Sequence, residues 1–320
     1  MRRGLGRLLA TRLLGAGAVL LTVSLLVFAG GEMLPGDVAQ IMLGEGASEA
    51  EVAQLRRQLN LDRPAPERYL DWLGGMAQGD WGVSYTTKRP IGEILPVRAR
   101  NTALLTVLTV LVAVPVALGL GVLMALFAGT VFDRGLSVLL LGLSAMPEFL
   151  IATAGVLVFA VRLQWLPAIS SVSPDAGLAD AARALALPVL TLSLIIVAQI
   201  ARMTRATLVG LADRPFIEMA QLKGASRLRV LLVHALANAI GPLANIVTLN
   251  IAFLVSGVVV VETIFAVPGL AQLMINAVSN RDMPVVEACA MIFCTTYVLL
   301  LLAADLFGAA FNPRLRRSAR

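Results

Sequence analysis

The sequence predicts an all-α membrane protein with six transmembrane helices and both termini in the cytoplasm, and three observations carry that expectation. Hydrophobic residues make up 58% of the chain and charged ones 14%, whereas soluble domains run at about 45–50% and about 25%. The apolar residues gather in stretches of about 20, the length at which a helix crosses a hydrocarbon core roughly 30 Å thick. Arginines crowd into alternate connecting segments, and the positive-inside rule places those segments in the cytoplasm.

The first apolar run, within residues 9–29, follows Arg2, Arg3, Arg7 and Arg12. A signal peptide starts the same way, but this run is too long for such a region and no A-x-A cleavage pattern follows, so a retained first span is expected, with residues 1–29 as cytoplasmic segment plus span. Residues 30–100 then carry eight basic and ten acidic residues. Long segments translocate largely regardless of charge, so this stretch reads as a periplasmic cap. Within it Ser48 and Glu51 form a capping-box pattern ahead of Val52, Leu55 and Leu59 on one helical face. Asp62, Pro64 and Pro66 stop that helix, and a second short one, from about Glu67, ends at glycines.

Five further spans follow within a core of residues 101–310, at about 102–128, 135–160, 185–208, 236–261 and 284–308. Arg134, the stretch from Arg202 to Arg229, and a basic tail over 311–320 with Arg314, Arg316, Arg317 and Arg320 fall on the same side as the N-terminus. The outer connections are Trp165 to Arg183, with Trp165 at the height of an interfacial aromatic belt, and Phe265 to Pro284, with a Pro-Gly turn, a short amphipathic helix and the Asn280-Arg281-Asp282 cluster. Cys289 and Cys294 are five apart in an apolar run, off one another's helical face, and read as membrane packing and not as a metal pair.

The cytoplasmic segment at about 209–235 is the informative one. Phe216, Met219, Ala220 and Lys223 keep helical spacing, Gly224 offers a corner, and Ser226 is placed to cap a helix leading into the fifth span. Physical chemistry alone leaves two readings open: an interfacial helix whose arginines meet lipid phosphates, or a docking element for a soluble partner with Glu218 setting charge register.

The spacing E-x-A-x3-G at Glu218, Ala220 and Gly224 resembles the EAA loop of permease subunits of ATP-binding-cassette importers, whose coupling helix grips the nucleotide-binding subunit. The resemblance covers nearly the whole chain and is closest to the first permease subunit of the peptide and nickel importers. It runs through Pro35, Gly36 and Asp37 after the first span, Gly79, Asp80, Gly82 and Ser84 in the cap, AMPEFLIATAGVLVFAVRLQWLP, RMTRATLVG, KGASRLRVLLVHALANAIGP, VVVETIFAVPGLAQL, RDMPVV and FNPRLR. The chain departs from the family at Pro215 and Phe216, at Glu218 and Met219, and at Asn312; these changes bear on partner choice and substrate, not on the fold.

The resemblance implies a type I importer permease fold. Its coupling residues carry over to Arg214, Phe216, Glu218, Ala220, Lys223, Gly224 and His234. It implies four kinds of partner: a homologous second permease, two ATPase subunits, a solute-binding protein and the bilayer of the bacterial inner membrane. No cofactor is expected in this chain, since ATP and magnesium would be held by the ATPase.

Enzyme chemistry finds little support. A single histidine, His234, excludes HExxH and any two-histidine site, and Lys88 and Lys223 lie in no GxxxxGK[ST] loop, so no catalytic or metal residues are assigned. The net charge of +6 does not form a basic face on a soluble fold, so no nucleic acid is expected either. Charges inside spans are functional candidates by default. Glu148, directly after Pro147, and Glu262 are read as lining the pathway or its outer gate, with Pro268, Gly269 and Asp282. Glu287 and Asp305 lie near span ends, where a carboxylate reaches an interface. Peptides are the expected substrate, nickel or glutathione the alternative on the same machinery. A proton-coupled carrier using Glu148, or a lipid-binding scaffold, would leave the E-x-A-x3-G unit unexplained.

Overall fold

In the computed structural model, residues 2–33, 36, 38–44, 46–170, 177–212 and 214–311 are described. Pro35 and Asp37 of the first outer motif, part of the connection after Trp165, and the tail from Asn312 onward lie outside them. The described chain is a succession of helices: α1 (Arg2–Glu32), α2 (Val38–Leu43), α3 (Glu49–Gln58), α4 (Ala65–Ala77), α5 (Ile91–Leu126), α6 (Val131–Ala145), α7 (Glu148–Gly155), α8 (Leu178–Val209), α9 (Pro215–Leu222), α10 (Arg227–Arg229), α11 (Leu236–Ile264), α12 (Leu270–Ser279) and α13 (Met283–Phe311). A wide-turned segment, Val156–Arg162, extends α7, and another, Val230–Ala235, joins α10 to α11 into one rod.

Among the described residues, five helices are long and apolar enough to cross a membrane: Ala10–Glu32, Ile91–Leu126, Ala179–Val209, Arg227–Ile264 and Met283–Leu306. The third span differs from the single helix expected at about 135–160. It is a pair, Val131–Ala145 and Glu148–Arg162, bent by 101°. The physical cause lies in Met146-Pro147: the ring of Pro147 bars the helical conformation for the residue before it, and Met146 is extended at φ −79, ψ 134. Glu148 therefore sits in the first turn of a half-helix and not in mid-span.

The chain divides into two compact units. One comprises residues 1–9, 103–267 and 297–320. Its centre is α8, two-thirds buried over its most apolar window, with Leu192, Ile196 and Ile200 packed among Leu105, Ala113, Leu254 and Val258. At Gly121 α5 approaches α8 so closely that a Cβ would lie 2.5 Å from Thr204 Cβ and 2.7 Å from the Ala201 carbonyl oxygen. Two arginines of α8 hold α6. Arg205 grips the buried Asp133 through Nε at 2.5 Å and Nη2 at 2.7 Å, and Arg202 donates to Ser144 Oγ at 2.8 Å. Asp133 also accepts from Gly129 N–H, so its charge closes the turn ahead of α6 as well.

The other unit comprises residues 10–102 and 268–296. Ser48 accepts from Glu51 N–H while the Glu51 carboxylate receives Ser48 N–H, the capping box the sequence predicts. The Ser48 contacts hold the Glu51 carboxyl below its usual range. Phe28, Tyr69 and Trp72 cluster in edge-on and tilted contacts with centroids 5.4 to 6.0 Å apart, and Ser24 and Tyr69 share a hydrogen bond of 2.8 Å. Here α5 begins about eleven residues earlier than the expected span, at Ile91, because Ile91 and Leu95 are buried against Leu270, Val285 and Cys289.

Candidate functional site

The corner at the end of α9 follows from local chemistry. Arg214 is extended at the N-cap and Pro215 stands at the first helical position, where its missing N–H costs nothing. Glu218, in the first turn, is favoured by the helix dipole. The helix ends when Gly224 adopts φ +81, with Gly224 N–H donating to Gln221 O at 2.8 Å and Ala225 N–H to Ala220 O at 3.1 Å. That pairing is a Schellman motif, which satisfies two otherwise orphaned carbonyls and needs a left-handed residue at its apex. Ser226 then caps α10, its Oγ accepting from Arg229 N–H at 3.4 Å.

The two faces of α9 divide by burial. Ile217 and Ala220 are buried and belong to the same apolar cluster as Val230, Leu231 and Ala235 at the foot of the α10–α11 rod. The opposite face exposes Phe216, Met219 and Leu222, the last at 77%, beside exposed Glu218 and Lys223. A cavity of 350 Å³ opens there, lined by Phe216, Ala220, Lys223, Gly224, Arg229 and His234 among others. His234 is half-buried in its wall, and its carbonyl accepts from Asn238 Nδ2 at 2.6 Å. Apart from the exposed Arg214 and Glu218, the residues singled out in this loop from sequence meet in one groove.

The residues singled out along the spans do not form one cluster. Glu148 is half-buried, and its carboxylate lies over Gly257 of α11; a Cβ there would stand 2.9 Å from Oε1. Glu262 is fully buried and engaged inside the fold. Pro268 and Gly269 form the turn before α12, pinned by Asn101 Nδ2 to Pro268 O at 2.9 Å and by Leu270 N–H to Thr102 Oγ1 at 2.8 Å. Asp282 is buried and accepts from Ser84 Oγ at 2.5 Å, Tyr85 N–H at 2.9 Å and Thr86 N–H at 3.2 Å. Its carboxylate is thereby committed to tying the 84–86 turn to the start of α13.

Three features escaped the sequence reading: the Asp133–Arg205 pair, the Gly121 contact, and the union of Ser84 with Asp282. Both partners of that last pair stood in recognised segments, but nothing in the sequence links positions 198 residues apart. Among the described residues no group of three or more His, Cys, Asp or Glu side chains is placed to hold a metal ion.

Comparison with known proteins agrees with this geometry. Residues 117–317 match the family described as binding-protein-dependent transport system inner membrane component, and residues 5–106 match its N-terminal companion. The chain is 33% identical over 312 residues to the probable peptide ABC transporter permease protein y4tP of Sinorhizobium fredii, covering 98% of this chain and 100% of that one. It is 35% identical over 306 residues to the glutathione transport system permease protein GsiC of Pectobacterium atrosepticum, and 34% to that of Escherichia coli, in each case over 95% of this chain and 97% of the other.

Proposed function

The chain belongs to the family of binding-protein-dependent transport system inner membrane components, and from that premise we propose that it carries short peptides, glutathione among them, into a bacterial cell by ATP-driven alternating access. It is a multi-pass inner-membrane permease and not an enzyme; ATP hydrolysis belongs to a separate subunit. Peptide or tripeptide cargo is favoured because the relatives named above are a probable peptide permease and glutathione permeases.

The observation that carries the mechanism is the corner at Gly224 with its two-faced helix. The exposed face of α9, with Phe216, Met219 and Leu222 around Glu218 and Lys223, is apolar at its centre and charged at its edge, as a protein-docking surface is. Its buried face is locked to Val230, Leu231 and Ala235. Those residues open a continuous rod, Arg227–Ile264, of 38 residues, about 57 Å long at 1.5 Å per residue. A displacement applied to α9 by a closing ATPase pair is therefore delivered to the foot of this rod. Thirty residues along it, Gly257 meets the carboxylate of Glu148.

Glu148 is the pathway residue this reading retains. It is accessible, it stands beside the break at Pro147, and a carboxylate at that place suits the ammonium terminus of a passing peptide. A second, homologous permease, two ATPase subunits and a solute-binding protein complete the machine. The test is reconstitution with these partners in proteoliposomes and measurement of uptake of a labelled dipeptide and of glutathione. ATP-dependent uptake of either supports the reading; neither being taken up by a complex that hydrolyses ATP would refute it.

A further inference from the structure

A cavity of 460 Å³ lies within the unit of residues 10–102 and 268–296 and takes no part in the coupling described above. Among the described residues six charged side chains line it: Glu32, Arg63, Arg68, Asp71, Lys88 and Glu287. Four of them neutralise one another, Arg68 with Glu32 and Arg63 with Asp71. One acid and one base remain.

Glu287, in the second turn of α13, is only 7% exposed, and its carboxylate makes no hydrogen bond or ion pair with any described residue. An ionised carboxylate in such a place loses much of its hydration with no hydrogen bond or salt bridge to replace it, a cost of several kcal/mol by order of magnitude that a cationic ligand would offset. Lys88 is exposed, so it stands at the rim, and its ammonium is likewise unpaired among the described residues. Phe28, Trp72 and Trp81 supply apolar wall, and the Tyr85 hydroxyl supplies a neutral donor, since burial and then the charge of Glu287 push it up to about 12. The volume falls within the range of about 300–1,000 Å³ typical of small-molecule sites.

We propose that this cavity binds a small zwitterion bearing a primary ammonium and a carboxylate, the two termini of a short peptide, with the ammonium on Glu287 and the carboxylate toward Lys88. Naming a peptide rests on the importer reading given above; the charge pattern itself does not. The site gives the permease a place to hold peptide on its outer side that is separate from the binding protein's own. A metal ion fits less well, because a single unpaired carboxylate offers too few ligands.

The test is equilibrium dialysis of labelled trialanine against the assembled complex, without binding protein or nucleotide. Saturable binding is expected, weakened at least tenfold by Glu287→Gln and by N-acetylation of the peptide. Lys88→Gln should weaken trialanine but not trialanine amide. Leu61→Trp, which fills the cavity from its wall and leaves the charges in place, should abolish binding and decides the matter if the Glu287 variant does not assemble. Binding that survives both Glu287→Gln and Leu61→Trp, or that is unchanged by N-acetylation, overturns the proposal. Uptake in the same preparation, with binding protein and ATP added, keeps the two readings apart. Normal uptake without Glu287-dependent binding refutes this site alone, whereas Glu287-dependent binding without uptake upholds the site and counts against the importer.

Discussion

Gly224 separates backbone strain from bulk. Its φ of +81 is set by the Schellman corner, yet a Cβ built there meets nothing within 4 Å. Space is available, so a substitution is penalised by conformation alone. An L side chain held left-handed costs about 1–2 kcal/mol, less for asparagine, and more for a β-branched residue. A shift of that size moves the local equilibrium away from the corner by about fivefold to thirtyfold. When the corner opens, Ala220 O and Gln221 O lose their donors, and α9 is no longer held against Val230 and Leu231. The expected order of ATP-dependent uptake in proteoliposomes is therefore glycine, then asparagine, then alanine, then valine, with the ATPase subunits still present. Asparagine is larger than alanine, so the order is diagnostic. If alanine transports as well as glycine, or better than asparagine, then the ATPase groove is reading size at this position and the strain account is wrong.

Other perturbations follow from the same geometry. Gly121→Ala places a Cβ 2.7 Å from a backbone oxygen that cannot swing away, and overpacking of that kind should cost about 1–3 kcal/mol, seen as a lower Tm of the purified complex. Asp133→Ala strands Arg205 and should cost on the order of 3 kcal/mol. Pairing Asp133→Leu with Arg205→Met should recover most of it in the same melt, and failure to do so would mean that the pair does more than tie α6 to α8. Glu148→Gln should lower uptake in an assembled complex, and Gly257→Ala should do the same by displacing the carboxylate; unchanged uptake in both would remove Glu148 from the pathway. Tyr85 is held protonated up to about 12, against an ordinary value of 10.0. Its folded-state value is raised, so the stability it lends is complete below pH 10 and is lost as pH climbs toward about 12. An alkaline transition in Trp81 fluorescence should appear in that window and vanish in Tyr85→Phe.

What the sequence reveals about this fold is mostly what local rules govern. The capping box at Ser48 and Glu51, the glycine corner at Gly224 and the cap at Ser226 each involve residues within a few positions of one another, and each stands where those rules put it. The stop expected at Asp62, Pro64 and Pro66 falls earlier, at a left-handed Asn60 (φ 56), and Pro64 and Pro66 open α4 instead. The limits of α5 were not legible. The ten residues from Ile91 to Arg100 are helical because Ile91 and Leu95 find partners on α12 and α13, which composition cannot announce. The same holds for Asp133. A single acid beside a span reads as an interfacial charge, and only α8 with its paired arginines turns it into a buried anchor.

The third span shows how a present signal can be misread. Hydropathy is nearly blind to a sharp bend, since two half-helices of 15 residues joined at one proline average as a single apolar run. Pro147 and the glutamate after it were both visible, and separately each has an ordinary explanation: a kinked helix, or a charge that reaches an interface. Together they have a more specific one. A bend of 101° ends one helix and starts another, and the new helix begins with free N–H groups and a positive dipole end, where an acidic residue is stabilised. Glu148 therefore stands where the backbone favours its charge, and the glycine facing it on α11 leaves its carboxylate room. A proline followed at once by an acidic residue inside an apolar run is thus better read as the start of a half-helix than as a defect in a whole one, and the rod that carries Gly257 is the same one that α9 grips at its foot.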